Sequence, residues 1–321
     1  MLRLALVLVL VAGAARADEV SRRAAHFPLR FADWMETAGI DRGAIAVRYD
    51  DRSILTWAQG MDADAPVDLA SLSKAVTATC IAALVREGAL DYDMAARDIL
   101  GLRRAAPVTI GALLSHATGL DRDHTQRPMA WWKDDPTPRW PEITPRALDR
   151  ERLTGGARYY YSNKNYAVLG TVIEEVTGDS YESACRSRVL EPAGVAGSAS
   201  ARFAAYLPWG GWSMTVADYA RFVDHAYGDE SVLGAPLANL PRTVIEGPVA
   251  YGMGMLQREM AGGVNLWHFG ALCFAGGPDL GSYAVRWLNG WTVTAWYAGC
   301  ATGPEMARLD ATLVSVAFAR D

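Results

Sequence analysis

Two side chains near the start of a predicted helix are spaced for nucleophilic chemistry. Ser71 and Lys74 stand three residues apart in Ser71-Leu-Ser-Lys74, a spacing that places both on one helix face. A serine hydroxyl is a weak nucleophile until a base takes its proton, and a partly desolvated lysine can take it. Only three of the 31 basic residues are lysines, which favours a specific use of this amine. The alternative is an N-cap serine followed by a solvated lysine.

A second motif, Tyr161-Ser-Asn163, lies far from the first in sequence. Residues two apart in an extended segment point the same way, so the phenol and the amide can face one site. A tyrosine whose pKa is lowered by nearby cations can act as a general base, and the amide can bind a substrate amide or position Lys74. The alternative is a structural loop in which Tyr159, Tyr160 and Tyr161 only pack.

A third motif, His268-Phe-Gly270, falls on a predicted strand. The histidine would face across a cleft, and the glycine would let a ligand approach the backbone closely. Taken alone, the motif is explained equally well by a histidine of the core or the surface. The three motifs gain weight together because each occurs once in the chain.

The surrounding pattern predicts the elements that must position these residues. Alternating or continuous apolar runs predict strands near both chain ends, and helical periodicity predicts helices between them. The predicted strands are 44–49, 53–57, 266–270, 282–288 and 291–298, and the predicted helices are 72–85, 165–176 and 216–226. We therefore predict an α/β (α+β) fold, in which an antiparallel sheet from both chain ends is flanked by helices and a mostly helical region is inserted.

The first residues have the features of an export signal. Arg3 precedes an unbroken apolar stretch from Leu4 to Val11, and Ala15-Arg16-Ala17 is a small-x-small cleavage pattern. The stretch is too short to span a bilayer, and no later run approaches that length. We expect residues 1–17 to be a signal peptide and 18–321 to be one periplasmic or secreted domain. Its sheet region would cover about 18–70 and 206–321, and its helical region about 71–205.

Composition excludes several classes of protein. The chain has 321 residues, of which 51% are apolar, and this content is too high for a disordered protein. The net charge of −5 and the lack of a Lys/Arg run match a phosphate backbone poorly, so we expect no nucleic-acid partner. The chain has neither Cys-x-x-Cys nor His-Glu-x-x-His, so we expect no metal and no other cofactor. The sequence does not indicate an oligomeric state.

The chain has four cysteines: Cys80, Cys185, Cys273 and Cys300. An oxidising compartment permits disulfides, and three full pairings are open. Cys80 lies in an apolar helical run typical of a buried thiol. Cys273 and Cys300 flank a predicted hairpin with a two-residue Asn289-Gly290 turn, which favours a bridge between them.

Longer stretches of sequence carry a resemblance to a known family. They are Leu113-Leu-Ser-His-Ala-Thr-Gly-Leu120, Tyr161-Ser-Asn-Lys-Asn-Tyr-Ala-Val-Leu-Gly170, Thr215-Val-Ala-Asp-Tyr-Ala-Arg-Phe222 and Tyr251-Gly-Met-Gly254. With the three motifs, they resemble the serine β-lactamase and penicillin-binding-protein superfamily. The similar branch includes class C β-lactamases, D-alanyl-D-alanine carboxypeptidases and related serine esterases. The resemblance extends from about Phe27 to the C-terminus and implies a β-lactamase-like fold.

The resemblance assigns roles to the first two motifs. Ser71 would be the acylated nucleophile, and Lys74 would be its activating partner. Tyr161 would act as general base and then as acid toward the leaving group. Asn163 would hold both the substrate and Lys74.

The resemblance also assigns roles along the predicted strand. His268 stands where many members have lysine, and Phe269 stands where many have a hydroxyl residue that binds a carboxylate. Gly270 would let substrate approach the backbone. The oxyanion hole would consist of the backbone N–H groups of Ser71 and Ala271.

The implied function is an exported serine hydrolase that forms an acyl-enzyme on Ser71. Its substrate would be a small-molecule or peptide ester or amide, and its activity would be esterase-like or peptidase-like. A β-lactamase or D-Ala-D-Ala carboxypeptidase is one alternative, and a penicillin- or peptidoglycan-binding protein without turnover is another. Phe269 supplies no donor and neutral His268 at most one, so a substrate carboxylate would lack a partner. We therefore expect short-chain esters to be better substrates than β-lactams.

Overall fold

The computed structural model describes residues 17–150, 153–228 and 230–319. The predicted signal peptide, 1–17, lies outside these residues except for its last position. Within these three segments, no helix combines the length and the apolar character needed to cross a membrane.

A large antiparallel sheet forms the centre of the molecule. The strands of the described residues are β1 (Gly43–Tyr49), β2 (Arg52–Gln59), β3 (Val67–Asp68), β4 (Ser198–Ala199), β5 (Trp212–Met214), β6 (Arg242–Glu246), β7 (Val249–Gly252), β8 (Met255–Met260), β9 (Gly263–Leu272), β10 (Leu280–Arg286) and β11 (Trp291–Tyr297). Eight of them pair in the order β2-β1-β11-β10-β9-β8-β7-β6. Because β1 pairs with β11, with Gly43 opposite Tyr297, strands from both ends of the chain meet in one sheet. This part of the predicted fold is confirmed.

Helices cover both faces of this sheet. They are α1 (His26–Thr37), α2 (Ser73–Arg86), α3 (Ala96–Ile99), α4 (Ile110–Leu114), α5 (Gln126–Trp132), α6 (Trp140–Ala147), α7 (Asn163–Thr177), α8 (Tyr181–Cys185), α9 (Leu207–Gly210), α10 (Val216–Gly228), α11 (Glu230–Leu233) and α12 (Gly303–Ala317). Along β1, Ala44 and Ala46 belong to the core that contains α2, whereas Ile45 and Val47 belong to the core beneath α1 and α12. Alternate side chains point to opposite faces of a strand, so β1 is apolar throughout because both of its faces are buried.

The hairpin between β10 and β11 differs from the prediction by one residue. The amide of Trp287 donates to the carbonyl of Trp291, so three residues rather than two form the loop. Gly290 adopts a φ of +93° there, a conformation that glycine adopts without steric cost. Gly281 consequently lies opposite Tyr297, whereas a two-residue turn would have paired it with Ala298.

The cysteines divide into one disulfide and two thiols. Cys273 and Cys300 are bridged, with their Cα atoms 5.9 Å apart. Cys80 and Cys185 are free and buried. The predicted Cys273–Cys300 bridge is confirmed, and it ties the segment after β9 to the segment after β11.

Candidate active site

Ser71 lies in a short 3₁₀ turn, Ala70–Leu72, directly before α2. Ala70 has a φ of +49°, which is uncommon for a residue with a side chain and is typical of strained functional sites. The Ser282 hydroxyl of β10 donates to the Leu69 carbonyl at 2.7 Å. A Cβ at Gly270 of β9 would lie 2.7 Å from the same oxygen. Glycine at this position therefore lets the strand approach the nucleophile turn.

Lys74 is completely buried and points at Ser71. Its Nζ lies 3.2 Å from the Ser71 hydroxyl and donates to the Trp209 carbonyl at 2.9 Å. Burial lowers the pKa of Lys74 to about 7, and the negative charge of Asp123 opposes that shift. A substantial fraction of this amine is therefore neutral at neutral pH, and only a neutral amine can accept the serine proton.

Tyr161 brings its phenol to the same place. Lys74 Nζ lies 4.9 Å from the centre of the Tyr161 ring. The phenol oxygen is buried and has no hydrogen-bond partner among the described residues. Burial raises the pKa of Tyr161, and the neighbouring Ser71 hydroxyl opposes the rise without reaching hydrogen-bond geometry. The expected lowering of this pKa is wrong because desolvation of the buried phenol dominates, so the phenol keeps its proton.

Asn163 is held by neighbours other than those expected. Its amide nitrogen donates to the Thr125 hydroxyl at 3.2 Å, and its backbone N–H donates to Asp123 at 2.9 Å. Among the described contacts of Lys74, none is a hydrogen bond to Asn163. The buried Oδ1 of Asn163 has no partner in the part of the chain described, so this acceptor is available to a substrate donor.

His268 is buried in β9 and is neutral. Burial and the charge of Lys74 lower the pKa of His268 to about 3. Its Nδ1 lies 2.6 Å from the Phe269 carbonyl, which only accepts, so Nδ1 carries the proton. Nε2 is then the acceptor for the Tyr251 hydroxyl at 3.2 Å. Both ring nitrogens are occupied, so His268 offers a substrate no free donor.

The structure places Phe269 and Ala271, the other residues of β9 predicted to belong to the site, in different surroundings. The Phe269 ring packs on Tyr283, with ring centres 4.8 Å apart, in the core beneath α1 and α12. It therefore lies on the face of the sheet opposite His268, and its side chain is not brought to Ser71. Ala271 follows Gly270 at an exposed position and pairs with Gly281.

The sequence analysis did not identify two residues of the site, His116 and Tyr251. His116 contacts Tyr161 and Tyr251, with ring centres 4.6 Å apart in both pairs. Both residues fall within stretches that carried the family resemblance, His116 in 113–120 and Tyr251 in 251–254. Those stretches were the available signal, but nothing local to either residue indicates a contact with the other.

The chain is similar to known proteins in both sequence and fold. The family profile described as Beta-lactamase matches residues 30–298. Penicillin-binding protein 4 of Amycolatopsis lactamdurans is 25% identical over 312 residues, covering 85% of this chain and 76% of the relative. Two solved structures share the fold. The octameric penicillin-binding protein homologue from Pyrococcus abyssi has a TM-score of 0.70 at 18% identity, covering 91% of this chain and 77% of that one. The D-amino acid amidase from Ochrobactrum anthropi SV3 has a TM-score of 0.67 at 21% identity, covering 88% and 95%.

Proposed function

The chain belongs to the Beta-lactamase family, and from that premise we propose that it is a serine hydrolase that forms an acyl-enzyme on Ser71. One observation carries this proposal: Lys74, buried and with a pKa near 7, lies 3.2 Å from the Ser71 hydroxyl. A solvated lysine would be fully protonated at neutral pH and could not act as a base. Burial makes this amine a base matched to neutral pH.

The proton path follows from the two pKa shifts. Neutral Lys74 takes the Ser71 proton as the oxygen attacks the substrate carbonyl. Tyr161, protonated because burial raises its pKa, gives its proton to the leaving group. The Lys74 ammonium, close to the Tyr161 ring, then passes the proton it took from Ser71 to the Tyr161 phenolate. In deacylation, water takes the place of the leaving group and the transfers run in reverse.

The negative charge on the substrate oxygen requires donors fixed in advance. We assign them to the backbone N–H groups of Ser71 and Ala271. This assignment is supported by the contact that brings β9 to the nucleophile turn, where Gly270 approaches Leu69 and Ala70. The same contact would hold the two donors in a constant relative position.

The proposed substrate is an ester or amide without a carboxylate near His268. His268 is neutral, and both of its nitrogens already have partners. A buried carboxylate without a donor costs several kcal/mol, so β-lactams and D-Ala-D-Ala peptides would lose binding energy here. Short-chain esters carry no such charge. The proposed location is the periplasm or the cell exterior, supported by the Cys273–Cys300 disulfide.

A probe and a substrate panel test this function. A fluorophosphonate should give one adduct on the wild-type protein, mapped to Ser71, and none on Ser71→Ala. The kcat/KM for p-nitrophenyl acetate or butyrate should exceed that for benzylpenicillin, a cephalosporin or a D-Ala-D-Ala peptide. An adduct on another residue would refute the nucleophile. Efficient β-lactam turnover with poor ester turnover would refute the substrate class, and an adduct without turnover would indicate a binding protein.

A further inference from the structure

His116 occupies an unusual position for a residue that carries a side chain. It follows α4 with a φ of +56° and is completely buried. Its ring lies among those of Tyr161, Tyr251 and Tyr166, with ring centres 4.6, 4.6 and 5.3 Å away. Burying a polar ring in a strained backbone conformation costs free energy. An apolar residue would fill the same space without the cost of the polar atoms, so the ring nitrogens require an explanation.

The backbone carbonyl and the side chain of His116 both form hydrogen bonds with the segment that carries Tyr161. The His116 carbonyl accepts a hydrogen bond from the Tyr160 N–H at 2.9 Å. Its Nδ1 accepts one from the Ser162 N–H at 3.3 Å and lies 2.9 Å from the Asn165 amide nitrogen. Nδ1 is therefore an acceptor, and the proton of the neutral ring is on Nε2. The 159–160 and 161–162 peptide groups, which bracket the Tyr160–Tyr161 pair, are thus held by one residue.

We propose that His116 is a positioning residue for Tyr161, fixing the 159–160 and 161–162 peptide groups so that the phenol faces Ser71. This inference rests on the proposed function, since it requires that Tyr161 transfers a proton. The phenol oxygen has no hydrogen-bond partner of its own within the described segments. The orientation of Tyr161 therefore depends on its backbone and on the packing of its ring. Of the neighbouring rings, His116 lies 4.6 Å away, whereas Tyr251 and His268 lie 6.0 and 6.1 Å away.

According to the proposal, Nδ1 of His116 positions Tyr161 and Nε2 does not. An asparagine side chain places its oxygen near the position of Nδ1, and asparagine tolerates a positive φ. A glutamine side chain reaches the position of Nε2 instead. His116→Asn should therefore preserve the bond to the Ser162 N–H, whereas His116→Gln should lose it.

The experiment compares these variants in two backgrounds. His116→Asn, His116→Gln and the remote control His225→Asn on α10 are assayed with p-nitrophenyl butyrate, both in the wild-type chain and with Tyr161→Phe. A displacement of about 1 Å at a reacting group costs roughly a hundredfold in rate. We expect His116→Gln to lose about that factor in kcat with little change in KM, and His116→Asn to stay within about tenfold of wild type. In the Tyr161→Phe background, both variants should have no further effect.

Several results would overturn the proposal. Equal losses for His116→Asn and His116→Gln, or a greater loss for His116→Asn, would show that Nδ1 is not the atom that matters. An undiminished loss in the Tyr161→Phe background would show that His116 acts through the general stability of the core. Thermal unfolding of each variant confirms that folded protein is compared. If Ser71→Ala or Tyr161→Phe retained full activity, the proposed function itself would fail, and that result is separate from any His116 result.

Discussion

Two buried polar clusters among the described residues satisfy their hydrogen bonds in opposite ways. In the Ser71 site, the buried Tyr161 hydroxyl, Asn163 Oδ1 and His116 Nε2 have no partner among the described residues. The second group, here called the Arg48 cluster, consists of Arg48, Ser53, Asp224 and Thr292. Arg48 Nε lies 2.5 Å from Asp224, and Arg48 also donates to the Ser53 hydroxyl at 2.6 Å.

The charged groups of the Arg48 cluster are paired with one another and with neighbouring hydrogen-bonding groups. Arg48 donates additionally to the Asp51 carbonyl, and Thr292 donates to Asp224. Burial raises the pKa of Asp224, and the hydrogen bonds from Thr292 and Arg48 oppose the rise. The Arg48 cluster therefore holds β1 to α10, whereas the unpaired groups of the Ser71 site remain available to a substrate. Burial alone does not identify a functional site. In the Ser71 site, the unpartnered buried groups lie beside a nucleophile and a base, and this combination distinguishes the site from the Arg48 cluster.

The largest expected effect tests whether the Ser71 site acts as a unit. Lys74→Ala, Tyr161→Phe and the double variant should fall to similar residual rates, because each breaks the same proton path. We expect losses of about ten-thousandfold in kcat/KM, or roughly 5 kcal/mol. Steady-state kinetics with p-nitrophenyl butyrate measure this. Independent, multiplicative losses would show that Tyr161 is structural, as Tyr159 and Tyr160 can be.

The next effect should appear in the stability of the Arg48 cluster and not in catalysis. Arg48→Met leaves Asp224 buried without its main partner, which costs about 3–5 kcal/mol. Urea unfolding should show this loss, while kcat/KM of the folded fraction stays near wild type. Arg48→Met combined with Asp224→Leu should recover part of the stability because no carboxylate is left buried without Arg48. Arg286, which lies 3.7 Å from Asp224, is partly exposed to solvent. A large fall in kcat/KM with unchanged stability would contradict the comparison.

The smallest expected effect is on the free energy of unfolding, and it comes from the burial of Lys74. Its pKa is about 7 in the folded protein and near 10.5 when unfolded, so the unfolded chain binds more protons between these values. Stability contributed by this residue therefore rises with pH from about 7 to 10.5 and is least below 7. Lys74→Met should gain on the order of 1–2 kcal/mol at pH 6 and less at pH 9.5.

Urea unfolding at the two pH values measures this difference. Lys133→Met is the matched control, since Lys133 is partly exposed and donates to the Gly277 carbonyl. Its effect on stability should be the same at both pH values. An equal gain for Lys74→Met at pH 6 and pH 9.5 would mean that burial does not lower the pKa of Lys74.

Local spacing predicts the nucleophile pair but not its surroundings. The three-residue interval between Ser71 and Lys74 places the two side chains in contact, as a helical turn dictates. The second partner of Lys74, the Trp209 carbonyl, lies 135 residues away in sequence, and no local pattern indicates it. The predicted hydrogen bond between Asn163 and Lys74 is not present among the described residues. The Asn163 side-chain nitrogen donates instead to Thr125, which no local pattern indicates.

The strands of the sheet show the same limit of prediction from local sequence patterns. The buried strands β1, β10 and β11 have apolar runs and were predicted within a few residues. Strand β6 is mostly exposed, so it has no core-facing alternation and was missed. The expected direction of the Tyr161 pKa shift was wrong because the sequence does not show that the phenol is buried.

The contact at Gly270 has a consequence for enzyme engineering. A Cβ there would lie 2.2 Å from the Ser282 hydroxyl oxygen and 2.7 Å from the Leu69 carbonyl, so any larger residue would push the nucleophile turn away from the strand. Position 270 is therefore closed to a library that aims to change substrate range. Diversity belongs instead in exposed segments that do not carry the nucleophile, such as the loop 274–279 and the exposed face of α5 around Trp131. Randomising those segments would leave the contact at Gly270 and the reacting atoms in place.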